Sequence, residues 1–268
     1  MDVVMLMAIG LLTGATTVLF GFGGGFVAVP VVVWADAALG TAALPVATAT
    51  SALVMVVSAA FATAVTPRSV LLALRGSGAL LPLLAAGACA GAYATRFAPP
   101  ALARWAFVAY TALTALDLLL RPGFLRTTRP DAGSVRAPRP LPAVAGAPIG
   151  AVAAFLGVGG SVMTVPAMRR AGHPMRVATA LANPLTLAVA LPAVAVSFAA
   201  SRPPAATASG TGLVGLVDPY AAGALLLGAL PVIAVLRRRP PRIPDRVHAC
   251  AYLALLALVT LAMALSGA

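Results

Sequence analysis

Six runs of mostly apolar residues, bounded by Arg, Pro or polar clusters, limit what this chain can fold into. They cover roughly 44 to 66, 78 to 96, 101 to 120, 176 to 199, 219 to 236 and 247 to 266. A helix needs about 20 such residues to cross the hydrocarbon core of a bilayer, so each run predicts a transmembrane helix. Only 9% of the 268 residues are charged, against about 25% in a soluble domain, and the mean hydropathy is +1.02. An all-α polytopic membrane protein is therefore expected, with the lipid bilayer as its surroundings. The 18 basic residues are all Arg and the six acidic ones all Asp. A net charge of +12 would suggest nucleic acid if the arginines shared one face, but they sit in short gaps between apolar runs, so no nucleic-acid partner is expected. Cys89 and Cys250 lie in apolar stretches without metal-ligand spacing and read as small core residues. No disulfide, metal or cofactor is implied.

Residues 3 to 35 and 141 to 168 are also apolar, but glycines interrupt each of them. The first has no basic n-region, so it reads as part of the fold and not as a removable signal peptide. Shifting the chain by 136 residues aligns Gly10–Pro30 with Gly146–Pro166, with eight of 21 positions identical. The identities include Gly10 with Gly146, Gly14 with Gly150, the Gly-x-Gly-Gly cores at 21–24 and 157–160, and Pro30 with Pro166. This predicts a duplication: a first membrane repeat over 1–120, an Arg- and Pro-rich cytoplasmic linker over 121–140, and a second repeat over 141–268. Each repeat is a glycine-broken segment followed by three plain spans.

The arginines choose between two topologies. If each broken segment crosses the membrane once, the loops on the two sides hold ten and eight Arg. If each enters and leaves on its own side, fifteen Arg share one side and three the other. Positive loops stay in the cytoplasm, which favours two re-entrant helical hairpins. Three full spans per repeat then invert the second half relative to the first, as in many transporters. Both termini are expected outside, and the two glycine turns should meet near the bilayer middle.

Irregular backbone at membrane depth is tolerated only where protein or a water-lined cavity satisfies it. At Gly21-Phe22-Gly23-Gly24-Gly25 and Gly157-Val158-Gly159-Gly160-Ser161, absent side chains admit positive φ and close approach of a ligand. Short helices starting after each turn would offer free N–H groups to an anion. Thr48, Thr50 and Ser51 in the first half, and Thr179 and Asn183 in the second, are the next polar groups along the chain. The substrate-binding set expected is thus the two turns with Thr50, Ser51 and Asn183. Gly10, Gly14, Gly146 and Gly150 read as helix-packing positions. Asp117 reads as a local ion pair with Arg121. His173 and His248 fall at loop or span ends without metal-ligand company.

Paired Gly-x-Gly-Gly-(Gly/Ser)-x-x-x-Val-Pro motifs, with Ala47-Thr48-Ala49-Thr50-Ser51 after the first, resemble the sulfite exporter TauE/SafE family of membrane permeases. The resemblance spans both halves. It implies a transporter of small sulfur-containing anions such as sulfite, thiosulfate, sulfoacetate or related organosulfonates, in a bacterial plasma (inner) membrane. The second half departs from the pattern with Ser161 in place of a last Gly, and with Ala180-Leu181-Ala182-Asn183 where a Thr-Ser pair would stand. An enzyme is not expected, because the spans contain neither a nucleophile–base arrangement nor grouped carboxylates. The alternative is a non-transporting membrane assembly protein whose glycine faces serve helix packing. Oligomeric state, direction of transport and energy source are not legible.

Overall fold

A computed structural model describes residues 3–35, 40, 42–121, 124, 141–199 and 212–265. These residues are helical, with no β-strand among them. The helices are α1 (Val3–Phe20), α2 (Gly25–Ala35), α3 (Ala43–Ala64), a single turn α4 (Arg68–Leu71), α5 (Leu80–Ala94), α6 (Pro100–Leu120), α7 (Gly146–Leu156), α8 (Ser161–Arg170), α9 (Met175–Phe198), α10 (Pro219–Arg238) and α11 (Asp245–Leu265). The six plain runs correspond to α3, α5, α6, α9, α10 and α11, and both broken segments are broken at their glycines.

Among the described residues seven helices are long and apolar enough to cross a membrane: those six and α1. Large apolar side chains cover their outward faces, with Leu119, Leu120, Leu227 and Leu258 between 61% and 71% exposed. Water would not tolerate such a surface but lipid does. The protein is a multi-pass membrane protein. Cys89 and Cys250 are exposed on this outward surface, which corrects the expectation that they lie in the core. A thiol is small and weakly polar, so a lipid-facing helix position accommodates it as readily as an interior one.

Glycines bring helices together at backbone distance. A Cβ added to Gly10 or Gly14 of α1 would run into the carbonyls of Leu225 and Ala229 on α10. In the other half, Gly87 and Gly91 of α5 meet the carbonyls of Ala147 and Ala151 on α7, and Gly150 meets Leu84. Bilayer lipid supplies no hydrophobic drive between helices, so close van der Waals contact of small residues has to supply it. The four outer glycines are therefore packing positions, as expected.

Contacts recur between the halves. Helix α1 packs on α10 as α7 packs on α5, α2 packs on α3 as α8 packs on α9, and α3 packs on α10 as α9 packs on α5. The pairs α3–α9 and α6–α11 close the core. Leu213 clusters with Ala43 and Val46 at the start of α3, and Leu216 N donates to Ser197 O at the end of α9 (3.2 Å). The start of α3 thus lies beside the end of α9, and the two helices run antiparallel. At the opposite end, salt bridges join the end of α8 to the end of α6 and to the start of α11, and a hydrogen bond joins the starts of α9 and α11. We call this the Arg-rich end.

Most of the 121–140 linker lies outside the described residues, as does nearly all of the polar segment 201–212. Of the linker, Arg121 and Phe124 are described, and Phe124 is buried.

Gly91→Val should lower the melting temperature sharply, because overpacking costs about 1–3 kcal/mol and the atoms in its way here are backbone. Gly78→Val, with no atom within 4 Å of its Cβ, serves as the control in the same thermal-shift measurement. Equal melting of the two variants would contradict this packing.

Candidate functional site

Each broken segment turns on left-handed glycines. In the first, Gly21, Gly23 and Gly24 have φ of 75°, 62° and 85°, and in the second Gly157 and Gly159 have φ of 68° and 67°. An L-residue with a Cβ pays about 1–2 kcal/mol there. Gly157 also ends α7: its N–H donates to Ala154 O (3.3 Å) and that of Val158 to Ala153 O (3.1 Å). This paired closure satisfies two of the carbonyls a helix terminus leaves open. Gly160 and Gly25 need no positive φ. Gly25 is required by space, since its Cβ would fall on the Met55 side chain.

The two turns come together on the same two residues. A Cβ on Gly23 would lie 2.8 Å from Thr186 Cγ2 and 3.5 Å from Met55 Cγ, and one on Gly159 would lie 3.0 Å from Met55 Sδ and 3.1 Å from Thr186 Cγ2. Met55 stands about midway along α3 and Thr186 about midway along α9. The first turn lies nearer the Arg-rich end at Gly21, which sits against Thr179 O. The second lies nearer the other end at Gly157, which sits against Thr48.

A cavity of about 800 Å³ opens at the end opposite the arginine clusters. Its lining includes Ala42 and Leu44 at the start of α3 and Ser197 and Ala199 at the end of α9, and it reaches inward to Thr48, Gly157 and Met55. Met55 thus separates the inner end of the cavity from Gly159 and the start of α8. A methionine thioether is flexible and unbranched, which suits a displaceable plug.

Ionic contacts cluster at the Arg-rich end. Asp117 pairs with Arg121 (2.8 Å) and with Arg170 (2.5 Å). Buried Arg169 pairs with Asp245, and its Nε donates to Phe124 O (3.2 Å). The other carboxylate oxygen of Asp245 accepts from Met175 N (2.9 Å). The sequence identified the Asp117–Arg121 pair. Arg170, 53 positions away, joins it only through the fold.

The family model for the sulfite exporter TauE/SafE matches residues 6–263, nearly the whole chain. The chain belongs to the TauE/SafE family. No curated protein and no solved structure matches it. Membership makes it a membrane transporter of sulfur compounds, with a small-molecule substrate and a lipid environment, in keeping with a non-enzymatic role.

In this TauE/SafE chain the residues of the expected substrate-binding set are all buried, but they do different things. Phe22 and Val158 turn their side chains into the core, where Phe22 stacks near Phe26 (4.7 Å) and Tyr252 (5.0 Å). Thr50 Oγ1 accepts the Asp218 N–H (2.9 Å) and so anchors the loop before α10. Ser51 Oγ donates to Thr48 O (3.0 Å), and Asn183 Nδ2 to Thr179 O (3.2 Å). Ser161 Oγ and Asn183 Oδ1 are buried without a partner. Met55 and Thr186 were missed, because they meet the turns only through the fold.

Thr50→Val removes a hydroxyl of nearly unchanged shape. Loss of stability of about 0.5–1.5 kcal/mol is expected, the net worth of one half-buried hydrogen bond, with the KM for transported anion unchanged. A raised KM with unchanged melting would instead place Thr50 in the substrate path.

Proposed function

We propose that this protein carries a small sulfur-containing anion, such as sulfite, thiosulfate or sulfoacetate, across a bacterial plasma membrane. In this reading the two glycine turns bind it near the midplane, and access alternates as one half rocks against the other. The observation that carries the reading is the convergence of both turns on Met55 and Thr186 at the inner end of a cavity open to one side. The first N–H groups of α8 lack intrahelical acceptors by construction, and buried Ser161 Oγ beside them is unpartnered. Both suit an oxyanion. Displacement of Met55 admits it, and parting of the Arg169–Asp245 and Arg170–Asp117 pairs releases it at the other end.

Several contacts support an inverted pair of re-entrant hairpins. Gly24 sits against Thr13 and Thr17 of α1, and Val32 of α2 shares a cluster with Leu6 of α1 and Ala47 of α3, so α2 returns alongside α1. A Cβ added at Gly146, the first residue of α7, would lie 2.9 Å from Leu80 O, while α8 ends at the Arg-rich end. Antiparallel α3 and α9, corresponding helices of the two repeats, fit inversion. The positive-inside rule then puts the Arg-rich end in the cytoplasm and both termini outside.

One observation favours the second reading, a non-transporting assembly protein. Met55 and Thr186 occupy the space between the turns, as dry packing would require. Flux decides between them. In proteoliposomes given sulfite, thiosulfate, sulfonates and carboxylates, sulfur anions should be taken up. Gly157→Ala should abolish that flux, because its Cβ would lie 2.6 Å from Thr48 Cγ2 at positive φ. Gly160→Ala, whose Cβ meets nothing nearer than Val189 Cγ2 at 3.4 Å, should retain it, since the N–H survives. No flux of any anion by folded protein would leave the assembly reading.

A further inference from the structure

The cavity is too large and too apolar to be built for an inorganic sulfur oxyanion alone. Its volume of about 800 Å³ lies high in the range of about 300–1,000 Å³ typical of organic-ligand sites. Sulfite, a sulfur atom and its oxygens, would fill a small fraction of it. The walls are mainly alanine, valine, leucine and proline, with Phe155 and Met55. Three hydroxyls line it, and each already donates to a carbonyl of its own helix: Thr48 to Leu44 O (2.9 Å), Thr95 to Ala92 O (2.7 Å) and Ser197 to Ala193 O (2.8 Å). Among the described lining residues one carries a charge, Arg96, in the turn Thr95–Phe97 that follows α5. Its guanidinium lies 5.8 Å from the centre of the Tyr93 ring. Arg104, on the first turns of α6, instead lies 5.1 Å from the Trp105 ring and is not part of the lining.

We infer that the cavity takes organic sulfonates with an apolar body, the anionic head on Arg96 and the body against Ala49, Ala52, Ala153 and Ala193, and that Arg96 is the residue that recognises charge. A planar guanidinium fork matches paired sulfonate oxygens as it matches a carboxylate. A cation at the rim of the cavity also concentrates anions there and turns cations away. Apart from Arg96 the described polar side chains of the wall are committed to carbonyls of their own segments, so a bare oxyanion gains only that one contact, while each methylene removed from water adds to binding. The inference rests on the reading of the protein as an anion carrier, and extends it from the anionic group to the rest of the substrate.

The test is binding, which can succeed or fail independently of transport. Isothermal titration of the full chain in lipid nanodiscs would use sulfite, methanesulfonate, butanesulfonate and benzenesulfonate, with butanol as the neutral control. From methane- to butanesulfonate the affinity should rise roughly two- to fourfold per methylene, and sulfite should bind more weakly than butanesulfonate. Arg96→Gln, an exposed change that leaves the packing intact, should weaken butanesulfonate roughly three- to tenfold and leave butanol unchanged, while Arg96→Lys restores part of the loss. A flat series, sulfite binding as tightly as butanesulfonate, an Arg96→Gln variant indistinguishable from wild type, or no binding at all would overturn the inference. Binding with the expected pattern but no flux in vesicles would overturn the carrier reading and leave this one standing. Sulfite flux with a flat series would do the reverse.

Discussion

A helix interrupted at membrane depth frees carbonyls and N–H groups that hydrocarbon cannot solvate, and the rest of this fold is arranged around that problem. Helices α9 and α11 bring side-chain donors to the freed carbonyls. Thr186 Oγ1 donates to Gly21 O (3.4 Å), His248 Nε2 contacts Leu19 O, and Tyr252 OH donates toward the carbonyls of Ser161 (3.4 Å) and Val162 (3.3 Å). The end of α7 closes on itself through Gly157 and Val158. Carbonyls of Leu19 and Gly21 at the first break, and of Ala153 and Ala154 at the second, are thus met from within. The first N–H groups of α2 and α8 have no intrahelical acceptor.

The two halves share contacts but have diverged in chemistry. Thr50 and Thr186 occupy the same position under the 136-residue offset. One accepts the Asp218 N–H and secures a loop, while the other donates to the first glycine turn. Met55 touches both turns from one half.

Much of the architecture was legible in the residues, because length, apolarity and glycine spacing act locally. The helices α3, α5, α6, α9, α10 and α11 begin and end within a few residues of the six apolar runs, and the breaks fall at the two glycine runs. The packing glycines were readable because small residues at helical spacing have few other uses in lipid. The site was less legible because it is made by contacts between distant segments. Nothing near Met55 in the chain distinguishes it from any other apolar residue, and Arg170 meets Asp117 only when α8 returns to the end of α6. Cys89 and Cys250 were misplaced for a related reason: in a membrane protein an apolar neighbourhood does not tell interior from lipid-facing surface.

The central claim is that the chain turns back at its glycines and does not pass straight through. Single cysteines at Ala79, Ala101 and Arg242, in a chain with Cys89→Ser and Cys250→Ser, test this by labelling sealed cells with a membrane-impermeant maleimide. Hairpins put positions 79 and 242 together on the protected, cytoplasmic side and position 101 on the reactive, outer side. Straight crossings would put 79 and 242 on opposite sides, and that result would contradict the account.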